Sequence, residues 1–283
     1  MEVSSRLTGR RGISLPFTDA CDALCSREHS FHELCAELNA HALSRDWKSW
    51  ELRGNRARHG QAPAAATYWG HKLELSPRTD EVFSRLQGTA RTSVRKAQNQ
   101  NLTIEFATDL DAVRTFHALL CKTRKRHGLP PQPRHFFECV QRQILAAGQG
   151  WVVLAKHGGV TVAGAIFFHL GTTAIYKFAA SDIASRDLQA NNLVLWRAME
   201  WYAKNGFTSM DFGRTSIANE GLRRFKRAWG AIEHLIEYIK FDRRESRFVT
   251  MKDRTSGWHT RFFRILPAPI ANLIGAVAYR HLA

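Results

Sequence analysis

From Leu102 to Phe241 the chain passes through a fixed succession of hydrophobic patterns. Leu102–Ala107 alternates like a strand, and apolar residues then recur at helical spacing from Asp109 to a stop near Gly128. The next predicted elements are a helix, three strands, a helix, a strand, a helix and a strand, over His135–Ala147, Gly150–Lys156, Val160–Leu170, Thr173–Ala180, Asn191–Asn205, Ser209–Phe212, Glu220–Ala228 and Ala231–Phe241. Glycine-containing turns join the three consecutive strands, which predicts an antiparallel meander.

Length and composition predict a substantial core. At 283 residues with 44% hydrophobic side chains, the chain can form one large domain or two small ones. The longest strongly apolar stretch, Trp151–Leu170, is interrupted by Lys156, His157 and two glycines, so it predicts two strands rather than a membrane span. The first residues do not match a signal peptide, because only a short apolar patch follows their arginines. We therefore expect a cytoplasmic protein.

The cysteines predict neither a disulfide framework nor a metal site. There are five of them, an odd number. Cys21 and Cys25 lie close to His29 and His32, yet this spacing does not fit a zinc finger. We expect a structural or incidental role for these residues and no bound metal.

The formal charge of +16 is the strongest compositional signal. Such an excess attracts polyanions over long distances, which favours phosphate-bearing partners such as tRNA, a coenzyme, a nucleotide-linked sugar or anionic lipid. General solubility with promiscuous binding explains the charge equally well.

Three short motifs accompany the order of elements. They are Arg91–Ala97, Arg124–Pro130, and Asp211–Arg214 leading to Phe225–Gly230. Together with that order they resemble the GNAT acyltransferase superfamily, and in particular its FemAB-like branch with a BioF2-like acetyltransferase domain. The resemblance covers roughly Ser14–Phe241.

The resemblance implies an α/β (α+β) GNAT fold, with a mixed, mostly antiparallel central sheet flanked by helices. FemAB-like proteins usually carry two GNAT-like halves, and here the first half would be truncated, starting near Leu15–Asp19. The implied division is a partial N-terminal half over residues 1–99 ending in a basic helix, a complete acyltransferase domain over 100–245, and a basic and apolar tail over 246–283.

In a GNAT fold two neighbouring strands splay apart, and the donor's phosphates lie on a helix N-terminus, where free N–H groups and the helix dipole attract anions. The resemblance therefore implies a donor beside Thr173–Ala180, with its phosphates at Asn191 and Asn192 and with Arg186 closing over them. Asn191 is alternatively only a helix N-cap. Users of acetyl-coenzyme A commonly place glycines in this loop, whereas Arg186–Ala190 contains none, which favours the aminoacyl-tRNA of FemAB-like relatives. We expect acyl-CoA or aminoacyl-tRNA as co-substrate and no permanently bound cofactor.

Three residues are candidates for catalysis. Asp211 is the best carboxylate for orienting or deprotonating an amine, because an ammonium has no lone pair for attack. Lys226 is characteristic of the FemAB-like pattern, which implies a contact with donor phosphate or with the developing oxyanion. Tyr176 can protonate the leaving group, although a tyrosine in a strand is often only packed. Asp211 can also serve merely to shape its loop with Arg214.

Basic residues are candidates for the acceptor site. A helix predicted over Asp80–Gln98 carries Arg91, Arg95 and Lys96, and the first two share a face because they are four residues apart. Arginine offers a planar fork for phosphate oxygens, so this face can grip a diphosphate, or it is simply a solvated basic face. Arg214 can hold an acidic group. Arg124, Lys125 and Arg126 end a predicted helix, where cations offset the dipole, and we expect no catalytic role for them.

The tail after Arg243 is basic and then apolar, including Trp258, Phe262, Phe263, Ile265 and Leu266 ahead of Pro267, and Ile270–Tyr279 after it. It fits a helix docked on the protein's own core, which Gly275 favours, or peripheral contact with an anionic membrane at its inner face.

Two functions follow as hypotheses. The first is an N-acyltransferase that moves an acyl or aminoacyl group from an activated donor onto an amine of a cell-envelope or polysaccharide precursor. The second is a non-catalytic basic protein that binds tRNA or anionic membrane.

Overall fold

The structure is a computed structural model that describes residues 1–6, 8–23, 29–54, 62–251, 263–264 and 266–281. Its strands are β1 Glu2–Ser5, β2 Gly9–Ile13, β3 Ser49–Arg53, β4 Ala66–Glu74, β5 Thr103–Ala107, β6 Gly150–His157, β7 Val160–Leu170, β8 Thr173–Ser181, β9 Ser209–Asp211, β10 Thr215–Ser216, β11 Ile232–Asp242 and β12 Arg247–Phe248. Its α-helices are α1 His29–Ser44, α2 Thr79–Arg85, α3 Gly88–Gln98, α4 Leu110–His127, α5 Arg134–Val140, α6 Ala190–Lys204, α7 Glu220–Ala228 and α8 Ala268–Ala278. A π-helical turn, Gln141–Leu145, and two 3-10 turns, Ile183–Leu188 and Tyr279–His281, complete these elements.

One sheet joins the described strands in the order β1-β2-β3-β11-β4-β9-β8-β7-β6-β5, with β10 beside β4 and β12 beside β11. The pairs β2/β3 and β8/β9 are parallel and the other described pairs are antiparallel. The expected mixed, mostly antiparallel sheet flanked by helices is therefore confirmed. Strands β1 to β4 belong to this same sheet, and β4 lies between β9 and β11.

The succession from β5 to β11 follows the sequence pattern closely. The Asp109 carboxylate caps α4 by accepting from the backbone N–H groups of Asp111 and Ala112, and Gly128 ends the helix in the left-handed conformation. Strands β6, β7 and β8 form the predicted antiparallel meander.

Helices cover both faces of this part of the sheet. On β6, Val153 belongs to a core shared with α3 and α6, whereas Val152 and Leu154 belong to a second core shared with α4 and α5. Because successive side chains of a strand point to opposite faces, each face receives its own hydrophobic layer. A further core around Trp47 and Trp50 supports β3 and β11.

Three helix predictions need correction. The single helix predicted over Asp80–Gln98 is two helices, α2 and α3, because Leu86 between them is extended, with ψ of 143°, and buries its side chain. The helix predicted over His135–Ala147 is α5 followed by a π-helical turn. Helix α6 begins at Ala190, and its N-cap is Gln189 rather than Asn191.

Helix α8 is docked on α4 and on the proline-rich connector that follows it. A Cβ atom on Gly275 would collide with the carbonyl oxygen of Pro131, so the helix approaches this backbone closely. The Cys121 thiol of α4 donates to the Asn272 side chain at 3.4 Å. Trp258, Phe262 and Ile265 lie outside the described residues. In the described part of the chain, no helix is both long and apolar enough to cross a bilayer.

Candidate functional site

The central sheet opens between β8 and β9. These parallel strands pair only at Thr173/Ser209, Ala174/Met210 and Ile175/Asp211. After Ile175, β8 runs on beside β7, whereas the chain leaving β9 stays with β4, because the backbone N–H of Phe212 donates to the carbonyl of His71. A β-bulge shifts the register between β7 and β8 at this point, and such bulges bend a strand. We call this opening the split.

A cavity of about 640 Å³ includes the part of β8 beyond the split. Five of the sequence-predicted residues line it together: Tyr176, Lys226, Arg186, Asn191 and Asn192. The remaining candidates, Asp211, Arg214, Arg91, Arg95 and Lys96, are not among its lining residues. The predicted catalytic and donor-binding residues therefore meet largely in one place.

Lys226 projects from α7 and is only 4% exposed. Its ammonium donates to the carbonyl oxygens of Gly213 and Arg214, at 2.9 and 3.0 Å. Burial lowers the pKa of Lys226 to about 8, and the nearby carboxylates of Asp19 and Asp211 oppose this shift. Since a lysine ammonium has three N–H donors, one is left for a group in the cavity.

Tyr176 reaches the cavity from β8. Its ring stacks on Phe167 with centroids 5.2 Å apart and meets the edge of Phe212 at 5.7 Å. Burial raises the pKa of Tyr176 far above its ordinary value. A phenol is protonated at neutral pH with or without this shift, so Tyr176 carries a proton that it can donate to a leaving group.

Asp211 ends β9 and is turned toward its own loop. Its Oδ1 accepts the backbone N–H of Gly213 at 2.6 Å, and Gly213 has a positive φ of 69°. This turn presents the Gly213 carbonyl that Lys226 binds. This hydrogen bond favours the alternative in which Asp211 only shapes its loop. The ion pair expected between Asp211 and Arg214 is not formed, because Arg214 pairs with another carboxylate.

Arg214 pairs instead with Asp19, a residue of the segment after β2 that we did not single out from the sequence. The Arg214 Nε lies 3.6 Å from Asp19 Oδ1, and Arg214 Nη1 donates to the Tyr238 hydroxyl at 2.7 Å. The guanidinium also lies 4.3 Å from the centroid of the Tyr68 ring. Lys177, the residue at the bulge of β8, lies 4.0 Å from the other Asp19 oxygen. Asp19 thus joins both sides of the split.

The donor end of the cavity is a helix N-terminus. Helix α6 begins without a side-chain cap, and its N-cap Gln189 has a left-handed φ of 54°. The Asn192 side chain donates to the Gln189 side chain at 2.9 Å, and the exposed Arg186 precedes both. Uncapped N–H groups beside an arginine make an anion site.

Arg126 and His127, at the C-terminal end of α4, also line this cavity. Burial and the neighbouring charge of Arg126 lower the pKa of His127. The sequence indicated only cations that offset the dipole of α4. The sequence did not indicate that the end of α4 lines the same cavity as Arg186, because this placement depends on long-range packing.

The basic helix α3 lies away from the cavity lining. Arg91 donates to the Ser84 carbonyl at 3.3 Å, and Arg95 lies 5.6 Å from the centroid of the Phe83 ring. Lys96 is exposed. These contacts are typical of a solvated basic face, which was the alternative to acceptor binding.

The described cysteines and the other possible metal ligands do not form clusters. Cys21, Cys35, Cys121 and Cys139 are free thiols. Cys25 and the side chain of His29 lie outside the described residues. Among the side chains that are described, no group of three or more His, Cys, Asp or Glu residues is placed to hold a metal ion.

Comparisons with known proteins agree with this geometry. The profile of the acetyltransferase (GNAT) domain family matches residues 84–227, which is more than half of the chain. No curated protein sequence matches the chain.

Solved structures share the fold at low sequence identity. FemX superposes with a TM-score of 0.61 at 14% identity, over 75% of this chain and 77% of FemX. The C-terminal domain of a protein described as a lysylphosphatidylglycerol synthetase, from Agrobacterium fabrum, gives 0.53 at 14% identity, over 75% and 73%. L-PGS from Bacillus licheniformis gives 0.51 at 12% identity, over 88% and 80%.

The profile match spans α3 to α7, which contain the split, the cavity and Lys226. The chain therefore belongs to the acetyltransferase (GNAT) domain family and is an acyltransferase.

Proposed function

We propose that this acyltransferase moves an aminoacyl or acyl group from a phosphate-bearing donor to an amine of a cell-envelope or polysaccharide precursor in the cytoplasm. The observation that carries the proposal is the cavity beside the split, where a buried lysine, a tyrosine and an uncapped helix N-terminus meet. The similarity of fold to FemX and to a lysylphosphatidylglycerol synthetase domain supports an envelope acceptor.

The donor end favours aminoacyl-tRNA over acyl-CoA. The loop Arg186–Ala190 has no glycine, and Gln189 occupies the left-handed position where a glycine would let a pyrophosphate approach the backbone. Arg126 and His127 line the same cavity from α4, and the Arg126 guanidinium adds positive charge there. A single phosphate of a polynucleotide chain fits this crowded, basic end better than a pyrophosphate that must lie flat on the backbone.

The reaction is a direct attack of the amine on the donor's carbonyl carbon. The new C–N bond forms, the carbonyl oxygen takes up negative charge, and the third N–H of Lys226 stabilises that oxyanion. The C–O bond to tRNA, or the C–S bond to coenzyme A, then breaks. Tyr176 gives its proton to the leaving oxygen or sulfur, and the proton lost by the amine passes to a carboxylate.

Asp19 is the better placed of the two carboxylates for that proton. Asp211 is committed to the N–H of Gly213, whereas the side chain of Asp19 is 35% exposed between Lys177 and Arg214. We therefore assign Asp211 to positioning the loop that holds Lys226. We assign Asp19 and Arg214 to the acceptor side.

The test uses labelled donors and extracted envelope precursors. The protein is incubated with radiolabelled acetyl-CoA or with a mixture of labelled aminoacyl-tRNAs, and label in the precursor fraction is counted. We expect transfer from aminoacyl-tRNA, and its loss in Lys226→Ala and Asp19→Asn. Label transferred from acetyl-CoA alone would overturn the donor assignment.

A matched control separates chemistry from folding. Lys204→Ala removes an exposed lysine at the end of α6, outside the cavity, and should leave transfer unchanged. Binding of tRNA without transfer from either donor would favour a non-catalytic basic protein instead.

A further inference from the structure

The outer face of α8 is apolar and exposed. Ile270, Leu273 and Val277 are 46%, 67% and 48% exposed and lie on one side of the helix, because they are three and four residues apart. Ala271 and Gly275 form the opposite, buried side against the connector after α4. Helix α8 carries no charged residue.

Contacts just beyond its C-terminal end hold this helix in place. The ring of Tyr279, directly after α8, stacks on Phe17 with centroids 4.7 Å apart and nearly parallel planes. The Arg11 side chain of β2 donates to the carbonyl of His281 at 3.1 Å. The apolar stripe is therefore presented from a fixed position.

A groove of about 970 Å³ separates α8 from α4, with an apolar floor and a basic rim. Ala118, Cys121, Pro133, Leu273 and Ala276 line the apolar part, and Arg114, Lys122, Lys125 and Arg134 supply the charge. Arg114, Lys122 and Arg134 have acidic partners, Asp111, Asp182 and Glu138. Such exposed pairs are weak and open readily to a phosphate.

We infer that the α8 stripe and the basic rim of this groove dock together onto the surface of an anionic phospholipid bilayer. Aliphatic side chains enter the boundary between headgroups and acyl chains, and cations beside them bind lipid phosphates. A polynucleotide would use the cations and leave the aliphatic stripe in water, so the combination favours lipid.

The same docking places the cavity at the membrane. Lys122 and Lys125 lie in the last turns of α4, and Arg126 and His127, which line the donor end of the cavity, follow in that helix. On the acceptor side, Phe17 lies two residues before Asp19 and stacks on Tyr279 at the end of α8, so a lipid-linked amine acceptor would also be within reach. The docking itself does not depend on transfer activity, so the two proposals can fail separately.

The experiment is vesicle sedimentation with the full chain. Vesicles of phosphatidylcholine with about a third phosphatidylglycerol are compared with pure phosphatidylcholine. We expect binding to the anionic vesicles that weakens with salt, and binding to the neutral vesicles at least tenfold weaker. Equal binding to both, or binding to neither, would overturn the inference.

Two variants test the surface and two matched controls accompany them. Leu273→Asn and Lys125→Glu should each weaken binding to the anionic vesicles about tenfold. Leu170→Asn, at the end of β7, and Lys204→Glu change an exposed leucine and an exposed lysine elsewhere and should bind like the wild type. Circular dichroism and melting temperatures check that all four variants fold.

Other occupants of the groove give different results. If Leu273→Asn dissociates a dimer while vesicle binding is unchanged, the stripe is an interface between two copies. If Lys125→Glu weakens tRNA binding and not vesicle binding, the rim serves RNA. Either result would overturn membrane docking.

Discussion

The ammonium nitrogen of Lys226 lies 2.9 Å from the carbonyl oxygen of Gly213, inside a site where the lysine is almost fully buried. This contact links α7 to the loop that leaves β9 on one side of the split. The same loop is turned by the Asp211 carboxylate. The loop therefore fixes the position of the Lys226 ammonium, and the ammonium in turn helps to hold the loop in its shape.

Replacing Lys226 by methionine should abolish most of the transfer activity. Methionine is similar in length and keeps the apolar stem packed, but it has no donor for the oxyanion. Loss of one such donor typically lowers kcat about a hundredfold or more. Single-turnover rates with a saturating donor measure the effect, with Lys204→Met as the control. A rate within a few fold of the wild type would exclude the oxyanion role.

Stability should depend on pH through Lys226. Burial lowers its pKa to about 8 in the folded chain, from an ordinary value of 10.5. Between these values the unfolded chain binds more protons, so the free energy of unfolding rises with pH. The penalty for burying the charged lysine is fully present below the pKa of Lys226 in the folded chain. It is relieved as the pH rises toward the pKa of Lys226 in the unfolded chain.

Relative to Lys226→Met, the free energy of unfolding of the wild type should increase by about 2 kcal/mol between pH 7.5 and 9.5. Urea denaturation of both proteins at both pH values measures the difference, and parallel profiles would contradict it.

Removing Arg186 should weaken donor binding. A charged hydrogen bond to a phosphate contributes about 1.5–3 kcal/mol, so Arg186→Ala should raise the donor KM about tenfold or more, with a smaller change in kcat. Arg197→Ala is the control, because Arg197 lies in α6 outside the cavity lining and pairs with Glu200. Equal KM values for the two variants would remove Arg186 from the donor site.

Local signals in the sequence were sufficient for most of the elements between β5 and β11, but not for the π-helical turn after α5 or the short strand β10. The capping carboxylate of Asp109 and the left-handed Gly128 define α4 through contacts within a few residues. Leu86 shows the limit of such signals. Its apolar side chain fits a continuous helix, but it breaks the helix because tertiary packing holds it extended and buried.

The features that the sequence did not predict depend on contacts between segments that are distant in the chain. Nothing in the alternation of Ala66–Glu74 indicates that β4 lies between β9 and β11. Asp19 was missed for the same reason, since its carbonyl is held by the hydroxyl of Tyr238, a residue distant in the sequence. Tyr176, Lys226 and Arg186 were predicted because motifs or neighbouring elements mark them, and they line one cavity. Arg126 belongs to the motif Arg124–Pro130, but only the packing of α4 shows that it lines the same cavity.

Adding a methyl group at Gly275 should destabilise the docking of α8. In an exposed helix Gly→Ala stabilises, but here the new Cβ would collide with the Pro131 carbonyl, which cannot move cheaply. We expect Gly275→Ala to lower the free energy of unfolding by about 1–3 kcal/mol. Gly221→Ala in α7 is the control, since its new Cβ would have no neighbour closer than 3.9 Å. Thermal denaturation and amide exchange of α8 measure both variants, and equal stability would contradict the close approach.

Replacing Asp19 by asparagine should separate acceptor chemistry from folding. The change keeps the size of the side chain and leaves the backbone carbonyl that accepts from Tyr238. The Arg214 pair, with Asp19 35% exposed, contributes little to stability, so the melting temperature should hardly change. Without a carboxylate to take the amine's proton, kcat should fall about a hundredfold. Asp22→Asn, which changes an exposed aspartate nearby in the sequence, is the control.

If Asp19→Asn keeps full activity and Asp211→Asn does not, the proton passes to Asp211 and the loop-shaping role assigned to that residue is wrong.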